Sequence, residues 1–195
     1  MEIKKENAIA AYNAADENTK NLLLTLLPEL EYVIKPKDIT ERVKTFEDAC
    51  RELGDGHPLV LHYRYNFDKG SYWDGKACTA DFKAFLKLRI VCAALNEGWE
   101  PQFTRGELRW FPWFSLWTEA ELLEMDDKWK ASHRFISMGN HQGDWDGFAC
   151  ADSNYVPSQT DVRFCSRLCL KSKALAVYCG KQFVELWADF GLVKK

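Results

Sequence analysis

The sequence predicts an α+β fold: an antiparallel sheet of about four strands packed against two or three helices, with a helical segment in front of them. The period of the apolar residues leads there first. It is helical up to Gly98, falls to two from Leu108 to Leu116, and turns helical again after Ser172. Helices, then strands separated by Gly-, Asp- and Asn-rich turns, then a helix, is the order of an α+β layout. Size and composition agree with one well-filled core, since the chain has 195 residues, 47% hydrophobic and 14% aromatic, with eight Trp.

The opening stretch "ENAIAAYNAADENTKNLLLTLLPEL" is Ala- and Leu-rich with polar breaks, and Pro28 should stop or kink its second helical piece. Residues 1–34 thus form a helical N-terminal segment, Lys35-Pro36-Lys37 a linker, and residues 38–195 a single α+β domain. In "DITERVKTFEDACREL" Thr45 and Asp48 make a capping box. Phe46, Ala49, Cys50 and Leu53 share the face that follows, and Gly54 caps its end. The turn formers of "DGHPLVLHYRYNFDKGSYWDGKA" predict a loop with a short extended piece over residues 60–65.

"TADFKAFLKLRIVCAALNEG" places Phe82, Phe85, Leu86, Ile90, Ala93, Ala94 and Leu95 at helical spacing between an N-cap at Thr79 and Gly98, which predicts the central buried helix. In "ELRWFPWFSLWT" Leu108, Trp110, Pro112, Phe114 and Leu116 fall on one strand face, and Arg109, Phe111, Trp113, Ser115 and Trp117 on the other. Pro112 cannot donate to a ladder, so this strand lies at an edge or carries a bulge. "TEAELLEMDDKWKA" predicts an acidic helix capped by Thr118, while "SHRFISMG", "DGFACADS" and "TDVRFCSRLCL" predict three further strands. One packed helix capped by Ser172 closes the chain, with Leu175, Tyr178, Cys179, Gln182, Phe183, Leu186 and Trp187 on its inner side.

The formal charge of −3 gives no global field for nucleic acid or an anionic membrane. Seven cysteines without a CxxC pair predict reduced thiols in a cytoplasm. "LLLTLLP" is too short to span a bilayer, so neither a signal peptide nor an anchor is expected.

Three stretches, "KDITERVKTFEDACRELG", "ALNEGWEPQFTRGELRWFPWF" and "SRLCLKSKALAVYCGKQFVELWADF", resemble a family of small proteins of Bacteroides-type gut anaerobes and of their phages and mobile elements. The resemblance implies a cytoplasmic protein carried by mobile DNA, and it brings no catalytic residues with it.

His133, His141, Asp144 and Asp146 could offer nitrogen and oxygen ligands, yet they lack HExxH or HxH spacing, and a turn-rich hairpin accounts for them equally. No metal and no cofactor are therefore expected. Cys165 and Cys169, four apart on a predicted strand, read as small buried hydrophobes rather than nucleophiles. No Gly-rich phosphate loop ends in Lys-Ser/Thr, which excludes a P-loop nucleotide hydrolase.

What remains is arginine interleaved with rings. Arg105, Arg109, Trp113 and Trp117 occupy one stretch, and Arg163, Arg167 and Lys171 another, in a region of seven basic and three acidic residues from 160 to 195. An arginine beside an aromatic plane seats a base or an anionic group. The competing reading pairs Arg163 and Arg167 with the acidic helix "EAELLEMDD".

The expectation is a non-enzymatic cytoplasmic binding protein, phage- or element-associated, that sequesters an anionic nucleotide-like ligand on this aromatic and basic face. An alternative is a structural or interaction module that uses the same face for homo-oligomer formation or a host partner, and another is a metal-dependent hydrolase around His133 and His141.

Overall fold

The computed structural model describes residues 4–28, 30, 38–67, 79–102, 104–142, 145–157 and 166–192. The chain divides into two compact units, Met1–Arg42 and Val43–Lys195. The first contains α1 (Lys5–Ala14), α2 (Glu17–Leu26) and α3 (Ile39–Arg42). Asp16 caps α2 by accepting from Thr19 N at 2.7 Å. The helix stops at Leu27, just before Pro28, where the proline predicts its end. The predicted linker, residues 35–37, lies outside the described residues.

The second unit begins with α4 (Phe46–Leu53), and its capping box forms as read from the sequence. Asp48 N donates to Thr45 Oγ1 at 3.1 Å and Thr45 N to Asp48 Oδ2 at 2.9 Å. Ala49 and Cys50 are buried on the inner face, and Gly54 ends the helix at φ 85°.

The expected loop after it is corrected, because residues 58–67 form a helix, α5 (Pro58–Phe67). Proline at the first helical position lacks only a donor that the helix would leave unused, and its fixed φ suits the first turn. His57 Nδ1 accepts from Leu59 N at 3.2 Å as a cap, and Val60 and Tyr63, three apart, are buried. Residues 68–78 of that expected loop lie outside the described residues.

The central helix, α6 (Ala80–Asn96), is apolar around most of its circumference, and Leu88, Ile90, Val91 and Leu95 are among its fully buried residues. It packs against α4, α5, a 3₁₀ turn at Ser166–Leu168 and the two C-terminal helices. Phe82, expected inside, is exposed.

Three antiparallel strands follow in the order β1-β3-β2: β1 (Leu108–Trp117), β2 (Ile136–Gln142) and β3 (Trp145–Pro157). β1 carries a register shift against β3 between Trp113 and Phe114, where Asp152 and Cys150 are the successive partners and Ala151 is the extra residue. The edge position and the irregularity beside Pro112 match the expectation.

The expected fourth strand over residues 160–170 is not found among the described residues, and residues 158–165 lie outside them. Ser166–Leu168 is a 3₁₀ turn, and Leu170 then meets Trp110 by a single bridge, with N···O distances of 3.0 and 2.9 Å. Two residues further along the same edge of β1 stands Pro112, which has no N–H to continue the pairing.

Two expected single helices are each broken in two. After Thr118, which forms a capping box with Glu121, come α7 (Glu119–Glu124) and α8 (Asp127–Ser132), the second capped by Asp126 accepting from Trp129 N at 2.6 Å. The C-terminal helix starts at Ser172 as expected but divides at Phe183 (φ −115°, ψ 31°) into α9 (Lys173–Gln182) and α10 (Val184–Gly191). Among the described residues no helix is long and apolar enough to cross a membrane.

α9 lies on β1 and β3 at a glycine. A Cβ on Gly180 would overlap Cys150 Sγ and stand 2.8 Å from Pro112 Cβ. Gly180→Ala is therefore expected to destabilise the protein by about 1–3 kcal/mol. Gly56→Ala, where a Cβ meets nothing within 4 Å, should leave denaturant unfolding nearly unchanged. Because contacts cluster within each unit, a chain lacking residues 1–34 is expected to keep one cooperative thermal transition, checked by calorimetry.

Candidate functional site

The inner face of β1 carries Phe114, which stacks on Phe148 of β3 (centroids 4.7 Å apart, planes at 12°) and meets Trp187 of α10 at 5.5 Å. Trp187 lies 6.3 Å from Phe190, which in turn stacks on Phe85 of α6 at 5.7 Å. Phe148 and Trp187 are buried while Phe190 reaches the surface, so this run of rings leads from core to solvent.

A pocket of about 380 Å³ opens along it, walled by Phe111, Trp113, Phe114, Phe148, Trp187 and Phe190, with Leu168 and Leu192 completing the apolar wall. Asn154 contributes its polar side chain, and Trp187 keeps a buried indole Nε1–H with no acceptor among the described residues. That volume falls in the range of small-molecule sites, roughly 300–1,000 Å³, and an apolar lining with few polar groups is their usual chemistry.

The predicted site residues are dispersed. Trp113 is 52% exposed and lines the pocket. Trp117 instead meets Trp129 of α8 at 5.1 Å, edge to face, on the side of the sheet where a Cβ on Gly147 would run into Phe135 and Leu122. Arg109 is fully buried opposite Val156, so the expectation of an open face shared with Trp113 and Trp117 is corrected: one end of that face is in the interior, and at the other α7 packs on β3 and Trp129 of α8 on Trp117.

Arg105 is exposed in the turn before β1. Lys171 pairs with Glu97 at 2.8 Å. Arg163 lies outside the described residues. Arg167 is exposed on the 3₁₀ turn while Cys169 is buried, so those two do not share a strand face. Among the described residues Arg167 forms no ion pair with the acidic stretch of residues 119–127, and its chain neighbour Leu168 is part of the pocket wall.

The residues that sequence reasoning missed, Phe148, Trp187 and Phe190, come from β3 and α10. Their only advance signal was a supply of rings. His133 is occupied by Trp129, whose ring stacks on it at 4.1 Å and whose carbonyl lies 3.0 Å from Nδ1. The side chain of His141, and Asp144, lie outside the described residues. Among the described residues no three His, Cys, Asp or Glu side chains converge. Comparison with known proteins gave no match, whether to a family model, a curated protein or a solved structure.

Five cysteines, Cys50, Cys92, Cys150, Cys169 and Cys179, are free and buried. Burial pushes the Cys150 thiol up to about 11. At pH 8 only about one Cys150 in a thousand is then a thiolate. These five thiols are expected to resist maleimide under native conditions and to label on unfolding, read out peptide by peptide by mass spectrometry. Rapid native labelling of Cys150 would contradict this.

Proposed function

We propose that the protein is a non-enzymatic binding protein that holds the planar, apolar part of a small ligand in the aromatic pocket, with an anionic substituent reaching out to Arg167, the exposed chain neighbour of the wall residue Leu168. The observation that carries the reading is a concavity of about 380 Å³ walled by six rings from three elements. Aromatic walls give broad contact with a flat ligand at little cost in ordering, and a guanidinium that a ligand's substituent can reach supplies a charge-assisted hydrogen bond. Nucleotide-like ligands belong to this class, and their sequestration is the role proposed here; the resemblance adds only the context of a cytoplasmic protein carried on mobile DNA.

The probe that fits the proposed chemistry is 1-anilinonaphthalene-8-sulfonate, which joins fused rings to one anion. Saturable binding of one probe per chain is expected, weakened about tenfold or more by Phe190→Ala and by Trp113→Ala and less strongly by Arg167→Gln. A thermal-shift panel of mono-, di- and cyclic nucleotides extends the test, since a ligand at 100 times its Kd adds about 2.7 kcal/mol of stability. Probe fluorescence unchanged in both ring variants would overturn the assignment.

A second reading, an interaction module, is favoured by the exposure of Trp113, Tyr155 and Trp145 on neighbouring strands. It expects concentration-dependent association in the ultracentrifuge that Trp113→Ala abolishes.

A further inference from the structure

A second concavity, of about 460 Å³, opens where the approach to α4, the middle of α6, the turn before β2 and the α9–α10 junction meet. It shares no residue with the aromatic pocket. Three cations enter it from three parts of the chain: Lys44 ahead of α4, Lys87 on α6 and Arg134 before β2. No carboxylate of the described residues forms an ion pair with any of them.

Neutral groups hold two of them instead. Lys87 Nζ stands 4.9 Å from the centroid of the Phe46 ring. Arg134 Nη2 donates to Gln182 Oε1 at 3.0 Å, and Gln182 Nε2 donates to Lys44 O at 2.7 Å. One amide thus ties the guanidinium to the backbone that carries the first lysine. Partners of this kind orient a cation without neutralising it. Glu47 and Glu185 also line the concavity, which leaves it one net positive charge, but neither is paired with the three cations.

We propose that this concavity is a binding site for a small phosphate-type oxyanion. Like charges brought together repel, and an anion between them converts that repulsion into attraction. The planar fork of Arg134 matches two oxygens of a phosphoryl group, while Lys44 and Lys87 act as point charges on the others. The positions fixed by Gln182 and Phe46 mean that less side-chain freedom is lost on binding. The site stands on these cations alone and does not depend on the aromatic pocket.

The test is calorimetric titration of the full chain with inorganic pyrophosphate at low ionic strength. One saturable site per chain is expected. Arg134→Gln and Lys87→Gln should each weaken it about tenfold, the equivalent of one charge-assisted hydrogen bond, and the double variant should remove it. Binding of the anilinonaphthalene probe should be unchanged in these variants, which separates failure here from failure of the aromatic pocket. Lys44→Gln, at an exposed residue, serves where the arginine variant unfolds and should show the same loss. Absence of saturable heat at millimolar pyrophosphate, or equal affinity in the wild-type protein and the Lys44→Gln and Lys87→Gln variants, would overturn the proposal.

Discussion

Asn96 stands at the end of the central helix with its side-chain amide buried, donating to Cys169 O at 2.9 Å and accepting from Lys171 N at 3.0 Å. The amide does for that segment what a neighbouring strand does in a ladder: it satisfies a carbonyl and an N–H two residues apart. Left unpaired in the interior, each of those groups would cost about 1–3 kcal/mol. The clasp fixes Leu168, Cys169 and Leu170 between α6 and the edge of β1. Leu170 then bridges Trp110, and Leu168 becomes a wall of the aromatic pocket. Cys92 Sγ, donating to Leu168 O at 3.5 Å, adds a weaker tie one turn back along the same helix.

The sequence brings rings and cations together, and the fold separates them. In the chain, Arg105 and Arg109 flank the aromatic run of β1, and a single basic-aromatic face is the natural reading. In the folded protein Arg109 is withdrawn into the interior, and Lys171 is neutralised by Glu97. The rings of β1 join those of β3 and α10 in one concavity, whereas Lys44, Lys87 and Arg134, which no local pattern connects, meet in another. The cations that gather in space are thus not the ones that stand beside the rings along the chain.

Local signals carried well from sequence to structure. The boxes at Thr45–Asp48 and Thr118–Glu121 and the cap at Ser172 form as read, because each depends on residues three apart. The central helix was legible from its length and its run of apolar residues. The helix of residues 58–67 was misread because Gly56 and Pro58 signal a turn and a helix start equally, and only burial of Val60 and Tyr63 decides between them. Alternation in β1 gave the parity of Arg109 and Trp113 but could not say which stretches of that face the rest of the fold would cover: Arg109 is buried, Trp113 is exposed, and Trp117 meets Trp129. Phe148, Trp187 and Phe190 were invisible as a site because their convergence is tertiary.

Pro112 has a consequence for how the molecule can meet its neighbours. An edge strand normally offers a row of unused N–H and C=O groups to any chain that passes. Here Trp110 spends its pair on Leu170, the next donor on that side is missing, and the register shift beside it bends the remainder. The β1 border of the sheet is thereby made a poor template for strand addition, the route by which exposed edges seed aggregation. Along that border, contact with another chain is left to side chains, and so to shape and chemistry rather than to the backbone that every protein shares.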